Sequence, residues 1–186
     1  RHHGEYGRMR LFGSLGFLAA ALAVGRALDV TAPAALPAAI AVPLGLAFVA
    51  SLLLPARAAA PPRPVAGPAR ALLAAPDFRL FLLIAVLSQA AHASYDLCAT
   101  LHLYDLGATG SFAGAFWALG VVAEVVLMFG AGPVFARAPA RRLLAVGLAG
   151  ATVRWIAMAT VTSLPALMAL QPLHALSFDL VWLACL

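Results

Sequence analysis

Six long apolar stretches account for most of this 186-residue sequence. An α-helix needs about 20 consecutive, mostly apolar residues to cross the hydrocarbon core of a bilayer, and each stretch meets that length. Turn-forming or charged residues separate neighbouring stretches. The pattern predicts an all-α membrane protein with six transmembrane helices, over residues 11–29, 34–54, 80–103, 111–133, 143–162 and 164–186.

The composition excludes a soluble protein. Charged residues make up 10% of the chain, whereas soluble domains contain about 25%. So few charges cannot cover a surface that faces water, so we expect the partner of this surface to be the lipid bilayer. The formal net charge of +5 comes from arginines in short loops and not from a long basic tract, which argues against nucleic-acid binding.

The arginines also indicate how the chain is oriented. Ten of the twelve basic residues lie in segments 1–10, 55–79 and 134–142, and all twelve are arginine. The positive-inside rule assigns those segments to the cytoplasm, and six alternating helices satisfy it without adjustment. Because abundant Arg and Ala without Lys are typical of GC-rich bacterial genomes, we expect a multi-pass protein of a bacterial cytoplasmic membrane.

Segment 55–79 divides the chain. It is rich in Pro and Ala and polar only through arginine, which is typical of a linker. We therefore expect residues 1–54 to end one helical bundle with two helices, 55–79 to be a central cytoplasmic loop, and 80–186 to form an incomplete second bundle of four. The chain starts without Met, and we interpret it as a piece that lacks helices at both ends.

Capping residues and prolines predict the details of these helices. Asp77, the pair Gly110–Ser111, and Ser163 precede apolar stretches and are predicted N-caps. Spanning helices tolerate internal proline, usually with a kink, so we expect kinks at three positions, namely Pro37, Pro43 and Pro172.

Several polar side chains lie inside the predicted spans. A charge at the bilayer centre costs at least about 2.5–3.5 kcal/mol, which makes each one a candidate functional residue. Gln89, His92 and Asp96 are spaced i, i+3, i+7, which predicts one polar stripe on a helix. The whole set comprises Gln89, His92, Tyr95, Asp96, Glu124, Arg154, Gln171, His174 and Asp179, with Arg10 at the start of the first span.

The chemistry of this set suits proton transfer and recognition of an anion. Arginine stays charged and offers a forked donor to a carboxylate, histidine titrates near neutral pH, and a desolvated carboxyl gains and loses a proton readily. The alternatives are structural hydrogen bonds between helices, or an inert ion pair of Glu124 with Arg154.

His92 and Asp96 have the spacing of metal ligands, but no H-E-x-x-H or nucleophile–base motif accompanies them. We therefore predict no enzyme, metal or cofactor.

Several segments resemble the major facilitator superfamily. EYGRMRLFGSLGF (5–17) resembles the start of helix five in its lactose permease and 3-phenylpropionate transporter branches. GPVFARAPARR (132–142) is similar to the loop signature G-x-x-x-D-R-x-G-R-R, with Ala136 in place of the acid. LLAAPDFRLFLLIAVLSQAAHASYD, FWALGVVAEVVLMF and VRWIAMATVTSLPALMALQPLHALSF look like helices seven to ten. The resemblance implies a transporter bundle of which helices five to ten of twelve are present.

The resemblance also implies roles for individual residues. Arg10 stands where the permease contacts its substrate, and Phe17 where an aromatic ring stacks on a sugar. Tyr95 and Asp96 match a helix-seven pair. The residues predicted to bind substrate are therefore Arg10, Phe17, Gln89, His92, Tyr95 and Asp96.

Glu124, Arg154 and His174 match the acid, arginine and histidine of the proton-coupling network, with Glu124 predicted to carry the proton and Asp96 as the second candidate. The sequence differs from the permease at three positions of this network. Ser177 replaces the coupling carboxylate, and Asp179 lies two residues further on. Ala99 and Gln171 replace both members of an ion pair.

Together these features predict a secondary transporter that works by alternating access. We expect proton-coupled symport of a small organic solute, an aromatic carboxylate or a sugar-like molecule, by a protein that is monomeric at full length. Two alternatives remain open from the sequence: a membrane protein of the same fold that binds or regulates without transporting, and a sodium-coupled carrier.

Overall fold

The computed structural model describes residues 3–55, 69–130 and 137–184, with side chains except those of residues 3–10 and Pro33. Throughout these residues the regular structure is helical. The helices are α1 (His3–Leu28), α2 (Leu36–Leu52), α3 (Ala69–Ala74), α4 (Pro76–Asp105), α5 (Gly110–Gly130) and α6 (Ala140–Thr160). A last helical segment, here called the broken helix, covers residues 164–184 and contains α7 (Leu164–Leu170) and α8 (Val181–Ala184).

Among the residues that the structure describes, five helical segments are long and apolar enough to cross a bilayer: Leu11–Leu28, Pro76–Asp105, Gly110–Gly130, Ala140–Thr160 and Leu164–Ala184. They correspond to five of the six predicted spans, and the all-α membrane fold is confirmed. Asp77 is not the N-cap of α4 but lies in its first turn, because the helix begins at Pro76.

The second predicted span differs from the prediction of a single long helix. Its α-helix, Leu36–Leu52, has 17 residues and is about 26 Å long at 1.5 Å per residue. A 3₁₀ turn, Pro33–Ala35, precedes it and adds about 6 Å at 2 Å per residue. Pro37 stands in the first helical turn, where a missing N–H is tolerated, and this position accounts for the late start of the α-helix.

The broken helix changes its hydrogen-bonding pattern twice. After α7 it passes through a 3₁₀ turn, Gln171–Leu173, and a π-helix, Ala175–Leu180, before α8. Pro172 explains the first change, since it cannot donate the backbone hydrogen bond that an α-helix requires there. The predicted irregularity at Pro172 is therefore present, and the π-helix is an additional one.

Contacts divide the chain into two compact units. One contains Arg1–Thr31 and Tyr95–Leu186, and the other contains Ala32–Ser94. Within the first unit, α1 packs against α5. The division into bundles 1–54 and 80–186 with a central loop at 55–79 stays a prediction. Apart from the contact of His92 with Ser88, the packing described below lies within the first unit.

The seam between α1 and α5 is made of small residues. A side chain added at Gly25 would lie 2.6 Å from the Gly110 carbonyl oxygen and 2.9 Å from Gly114 Cα, and one at Gly114 would collide with the Ala21 carbonyl. Small residues four apart on both helices let two backbones approach closely, as is common in membranes. Apart from Val24, the less exposed residues of α1 recur every three or four positions: Leu11, Ser14, Leu18, Ala21, Gly25 and Leu28.

Two side chains cap the start of α5 at the end of the seam. The Thr109 hydroxyl accepts the backbone N–H of Phe112 at 3.1 Å, so Thr109 is the N-cap, one residue before the predicted pair. The Asp29 carboxylate accepts the backbone N–H of Ser111 at 3.1 Å and also the Ser111 hydroxyl. These bonds, the hydroxyl first, hold the pKa of Asp29 below its ordinary value of 3.8. The carboxylate therefore ties the end of α1 to the start of α5.

The seam predicts opposite effects for two glycines of α1. Gly25→Ala should destabilise the protein by about 1–3 kcal/mol, because the new methyl group overpacks a backbone contact. Gly16→Ala, where nothing lies within 4 Å, should be neutral or stabilise by up to about 1 kcal/mol through helix propensity. Unfolding of the purified variants in detergent measures both effects. Equal stability of the two variants would contradict the packing described here.

Candidate functional site

A fully buried arginine lies at the centre of the first unit. Arg154 on α6 has no exposed surface. Its Nη1 donates to Ser177 Oγ at 3.0 Å, and its Nη2 donates to Gln171 Oε1 at 2.9 Å. Within the described residues, no ion pair involves Arg154 and its Nε has no hydrogen-bond partner. Neutral oxygens therefore solvate this charge.

Two aromatic rings complete the environment of the guanidinium. The Cζ atom of Arg154 lies 4.5 Å from the centroid of the Tyr95 ring and 4.5 Å from that of Trp155. A desolvated cation over an aromatic face gains about 2 kcal/mol or more. The two rings are themselves in contact, with centroids 5.1 Å apart. The rings offset part of the cost of burying the charge, a cost that would otherwise be several kcal/mol.

Gln171 joins four elements around this arginine. Its Oε1 accepts the bond from Arg154, and its Nε2 donates to the Tyr95 hydroxyl at 3.0 Å and to the Phe116 carbonyl oxygen at 2.7 Å. It is 1% exposed and lies in the 3₁₀ turn of the broken helix. A neutral amide can accept from a cation and donate to a carbonyl at the same time, which explains why this residue type suits the position.

Glu124 and His174 form a second polar pair. His174 Nε2 lies 2.9 Å from Glu124 Oε1, and the two side chains are 12% and 14% exposed. Glu124 is the fifteenth residue of α5, and His174 is the eleventh of residues 164–184, so both lie well inside their spans. Gly120 leaves room for the imidazole ring, since a side chain there would lie 3.4 Å from it.

The ring of Tyr95 connects the Glu124–His174 pair with Arg154. The Tyr95 ring, which lies under Arg154, is also 6.0 Å from the His174 ring. His174 in turn stacks on Phe178, with centroids 5.6 Å apart and an angle of 10°. The site therefore combines a buried cation, an acid, an imidazole and a tyrosine hydroxyl in one part of the first unit.

The structure brings together four of the predicted site residues: Tyr95, Glu124, Arg154 and His174. Their pairing differs from the alternative weighed from the sequence, because Glu124 pairs with His174 and not with Arg154. Phe17 is 47% exposed on α1. The side chain of Arg10 lies outside the described residues.

The predicted polar stripe of α4 is divided between two environments. His92 is 3% exposed, with its Nδ1 3.0 Å from the Ser88 carbonyl oxygen, whereas Gln89 and Asp96 are exposed. Residues at i, i+3 and i+7 lie within about 60° of each other around a helix, but spacing alone cannot tell which of them a neighbouring helix covers.

Two contributors were not predicted for this site. Ser177 had been noted only as a replacement for an acid, yet its hydroxyl accepts from Arg154 and donates to the His174 carbonyl at 3.1 Å. Trp155 is the second residue, and its ring lies beside the guanidinium of Arg154. The sequence signal for Trp155 was its position directly after Arg154. That signal is weak, because adjacent residues of a helix do not usually face each other. No group of three or more potential metal ligands occurs within the described ranges.

The arrangement predicts that Gln171 is a major contributor to stability. Gln171→Leu should lower the free energy of unfolding by about 2–4 kcal/mol, because a buried cation, a hydroxyl and a carbonyl each lose a partner. Gln89→Leu, an equivalent change at an exposed position of α4, should stay within about 0.5 kcal/mol of the unmodified protein. Denaturant unfolding in detergent measures the difference, and equal values for both variants would refute the role of Gln171.

Comparisons with known proteins agree with this picture. The model of the MFS_1 like family matches residues 1–186. A "Probable 3-phenylpropionic acid transporter" from Escherichia coli (strain K12) is 36% identical over 106 residues, which are 57% of this chain and 28% of that relative. The aligned part is thus less than a third of the relative's length. No solved structure matches the chain.

The family match covers every segment that carried the resemblance noted in the sequence. It confirms the prediction of a major facilitator superfamily protein, and it agrees with the prediction of a transport protein rather than an enzyme. The chain belongs to the MFS_1 like family of the major facilitator superfamily.

Proposed function

We propose that the full-length protein is a proton-coupled symporter of a small organic solute in a bacterial cytoplasmic membrane, and that it acts as a monomer. One observation carries the proposal: Glu124 and His174 are paired at 2.9 Å inside two membrane-spanning segments. Buried pairs of titratable groups within a span are typical of proton pathways. The relative's printed name supports transport of an organic acid.

In this proposal Glu124 is the proton carrier. Its protonation cancels the attraction to a protonated His174, so the two states of the pair differ in charge and in the contact between α5 and the broken helix. Arg154 keeps its charge throughout the cycle, because an arginine does not lose its proton in proteins. It fixes the position of the broken helix through Gln171 and Ser177. Two bundles then rock about the site to expose it to each side in turn.

The solute is proposed to be an aromatic carboxylate. Arg10 would bind the carboxylate and Phe17 would contact the ring, with Gln89, His92, Tyr95 and Asp96 as further binding residues. The name of the relative, which refers to 3-phenylpropionic acid, favours this class over sugars.

Proton coupling predicts a specific defect for Glu124→Gln. In proteoliposomes with the full-length protein, adding 3-phenylpropionate to de-energised vesicles should drive protons inward. Glu124→Gln should reduce that proton movement at least about tenfold, because the amide cannot take up the proton. Asp105→Asn, the same loss of charge at an exposed position, should leave it unchanged. Solute entry that depends on sodium and moves no protons would contradict the proposal.

Recognition of the carboxylate predicts a charge-selective defect for Arg10→Gln. Loss of one charge-assisted contact of about 1.5–3 kcal/mol should weaken 3-phenylpropionate uptake roughly ten- to hundredfold. Uptake of the neutral amide of the same acid should change little, and Arg26→Gln, an exposed arginine of α1, is the matched control. Full uptake of the acid by Arg10→Gln would exclude Arg10 from substrate binding.

A further inference from the structure

The burial of α1 and α5 is concentrated at one end of the seam between them. All buried residues of α5 lie between Gly110 and Gly120, and none of residues 121–130 is buried. Among residues 11–28 of α1, only Gly25 is buried. Both helices are therefore covered most closely where α1 ends and α5 begins.

That end of the seam lies on the side opposite the cytoplasmic arginines. The positive-inside rule assigns segments 1–10 and 134–142 to the cytoplasm, so the end of α1 and the start of α5 face the outside. In the predicted division, α1 belongs to the bundle 1–54 and α5 to the bundle 80–186. Alternating access requires two such bundles to separate at this end before a midplane site opens to the outside.

The acid at the end of α1 is unfavourable for that helix itself. Asp29 directly follows the last residue of α1, and the C-terminus of a helix carries a partial negative charge that repels a carboxylate. The start of α5 instead carries a partial positive charge and unpaired N–H groups. The Asp29 carboxylate accepts the backbone N–H and the hydroxyl of Ser111 there. This contact offsets the unfavourable position, and it is lost if the two helices separate.

The backbone on both sides of the contact is arranged for it. The N–H of Asp29 donates to the Arg26 carbonyl at 3.2 Å, and the N–H and hydroxyl of Thr31 both donate to the Ala27 carbonyl, at 2.9 and 2.8 Å. These bonds fix the turn that carries the carboxylate. On α5, Gly110 leaves space for it, since a side chain there would lie 3.0 Å from Asp29 Oδ1.

We propose that Asp29 and Ser111 form a latch, here called the outer latch, which holds the seam closed at its outer end and breaks each time the transporter opens to the outside. The arrangement described here is then the state that is closed to the outside. This inference rests on the proposed alternating access of two bundles. It does not depend on which ion is coupled or on the assignment of Glu124.

The outer latch keeps its negative charge at neutral pH. The bonds from Ser111, the hydroxyl first, hold the pKa of Asp29 below 3.8, and Arg26 acts in the same direction. On α5 no titratable residue precedes Glu124. Because the pKa is lowered in the closed state, the contact is fully present above pH 3.8 and is lost only as the pH falls below that value. At neutral pH the latch therefore opens by movement of the helices and not by protonation.

The outer latch predicts a shift in how often the outer end is open. Spin labels at two exposed positions, Val30 after α1 and Leu101 on α4, measure the separation by electron–electron resonance in the full-length protein without other cysteines. Asp29→Ala should raise the ratio of long to short distances roughly three- to thirtyfold, because two donors lose their acceptor. Asp105→Ala, which removes an exposed carboxylate from the outer end of α4, should leave the ratio unchanged.

Ser111 provides a second test of the same contact. Ser111→Ala removes the hydroxyl and keeps the N–H, so it should shift the ratio in the same direction by a smaller factor. Adding Ser111→Ala to Asp29→Ala should cause no further shift, because the hydroxyl then has no carboxylate to bond. Two effects that multiply would show that the residues act separately, and this result would overturn the latch.

The remaining outcomes distinguish the latch from the proposed function. A ratio for Asp29→Ala equal to that of the unmodified protein would overturn the latch. If 3-phenylpropionate changes no distance in any variant while Asp29→Ala still raises the ratio, the proposed transport of that solute fails and the latch stands. If Asp29→Ala does not fold, Asp29→Asn decides, since its amide keeps one uncharged acceptor: an intermediate ratio supports the latch, and an unchanged ratio overturns it.

Discussion

The fold of the first unit depends on keeping the charge of Arg154 inside an apolar interior. A guanidinium has five N–H donors and cannot lose its charge, so its surroundings must supply acceptors or polarisable surfaces. Here they come from three elements: Gln171 and Ser177 on the broken helix, the Tyr95 ring on α4, and Trp155 on α6 itself. The charge therefore links α4, α6 and the broken helix.

The irregularity of the broken helix brings two of these acceptors to the charge. A regular α-helix presents side chains at fixed intervals, and its backbone groups are already bonded to each other. The 3₁₀ turn at Gln171 and the π-helix at Ser177 change both the spacing and the direction of neighbouring side chains. Two acceptors six residues apart consequently reach one guanidinium, while His174, between them, turns toward Glu124.

The length and composition of the apolar stretches were sufficient to predict the membrane fold, because the thickness of the bilayer imposes them. Pro172 was sufficient to predict one interruption, whereas α2 continues through Pro43 to Leu52. The polar residues of the site could be identified as a set, since charges within a span are rare. Their partners could not be predicted, because pairing of Glu124 with His174 depends on helix rotation and on the empty space at Gly120. The π-helix was unpredictable because sequence patterns assume a constant helical period.

The seam between α1 and α5 has a mechanical consequence. Its closest contacts join backbone atoms at Gly25, Gly110 and Gly114, which carry no side chains. Surfaces held together by interdigitated side chains must break many rotamer-specific contacts before they separate, and each ordered side chain contributes its own entropy change. A contact between two backbones has few such side-chain contacts to break. Two helices joined in this way can therefore separate and reassociate over a small energy barrier.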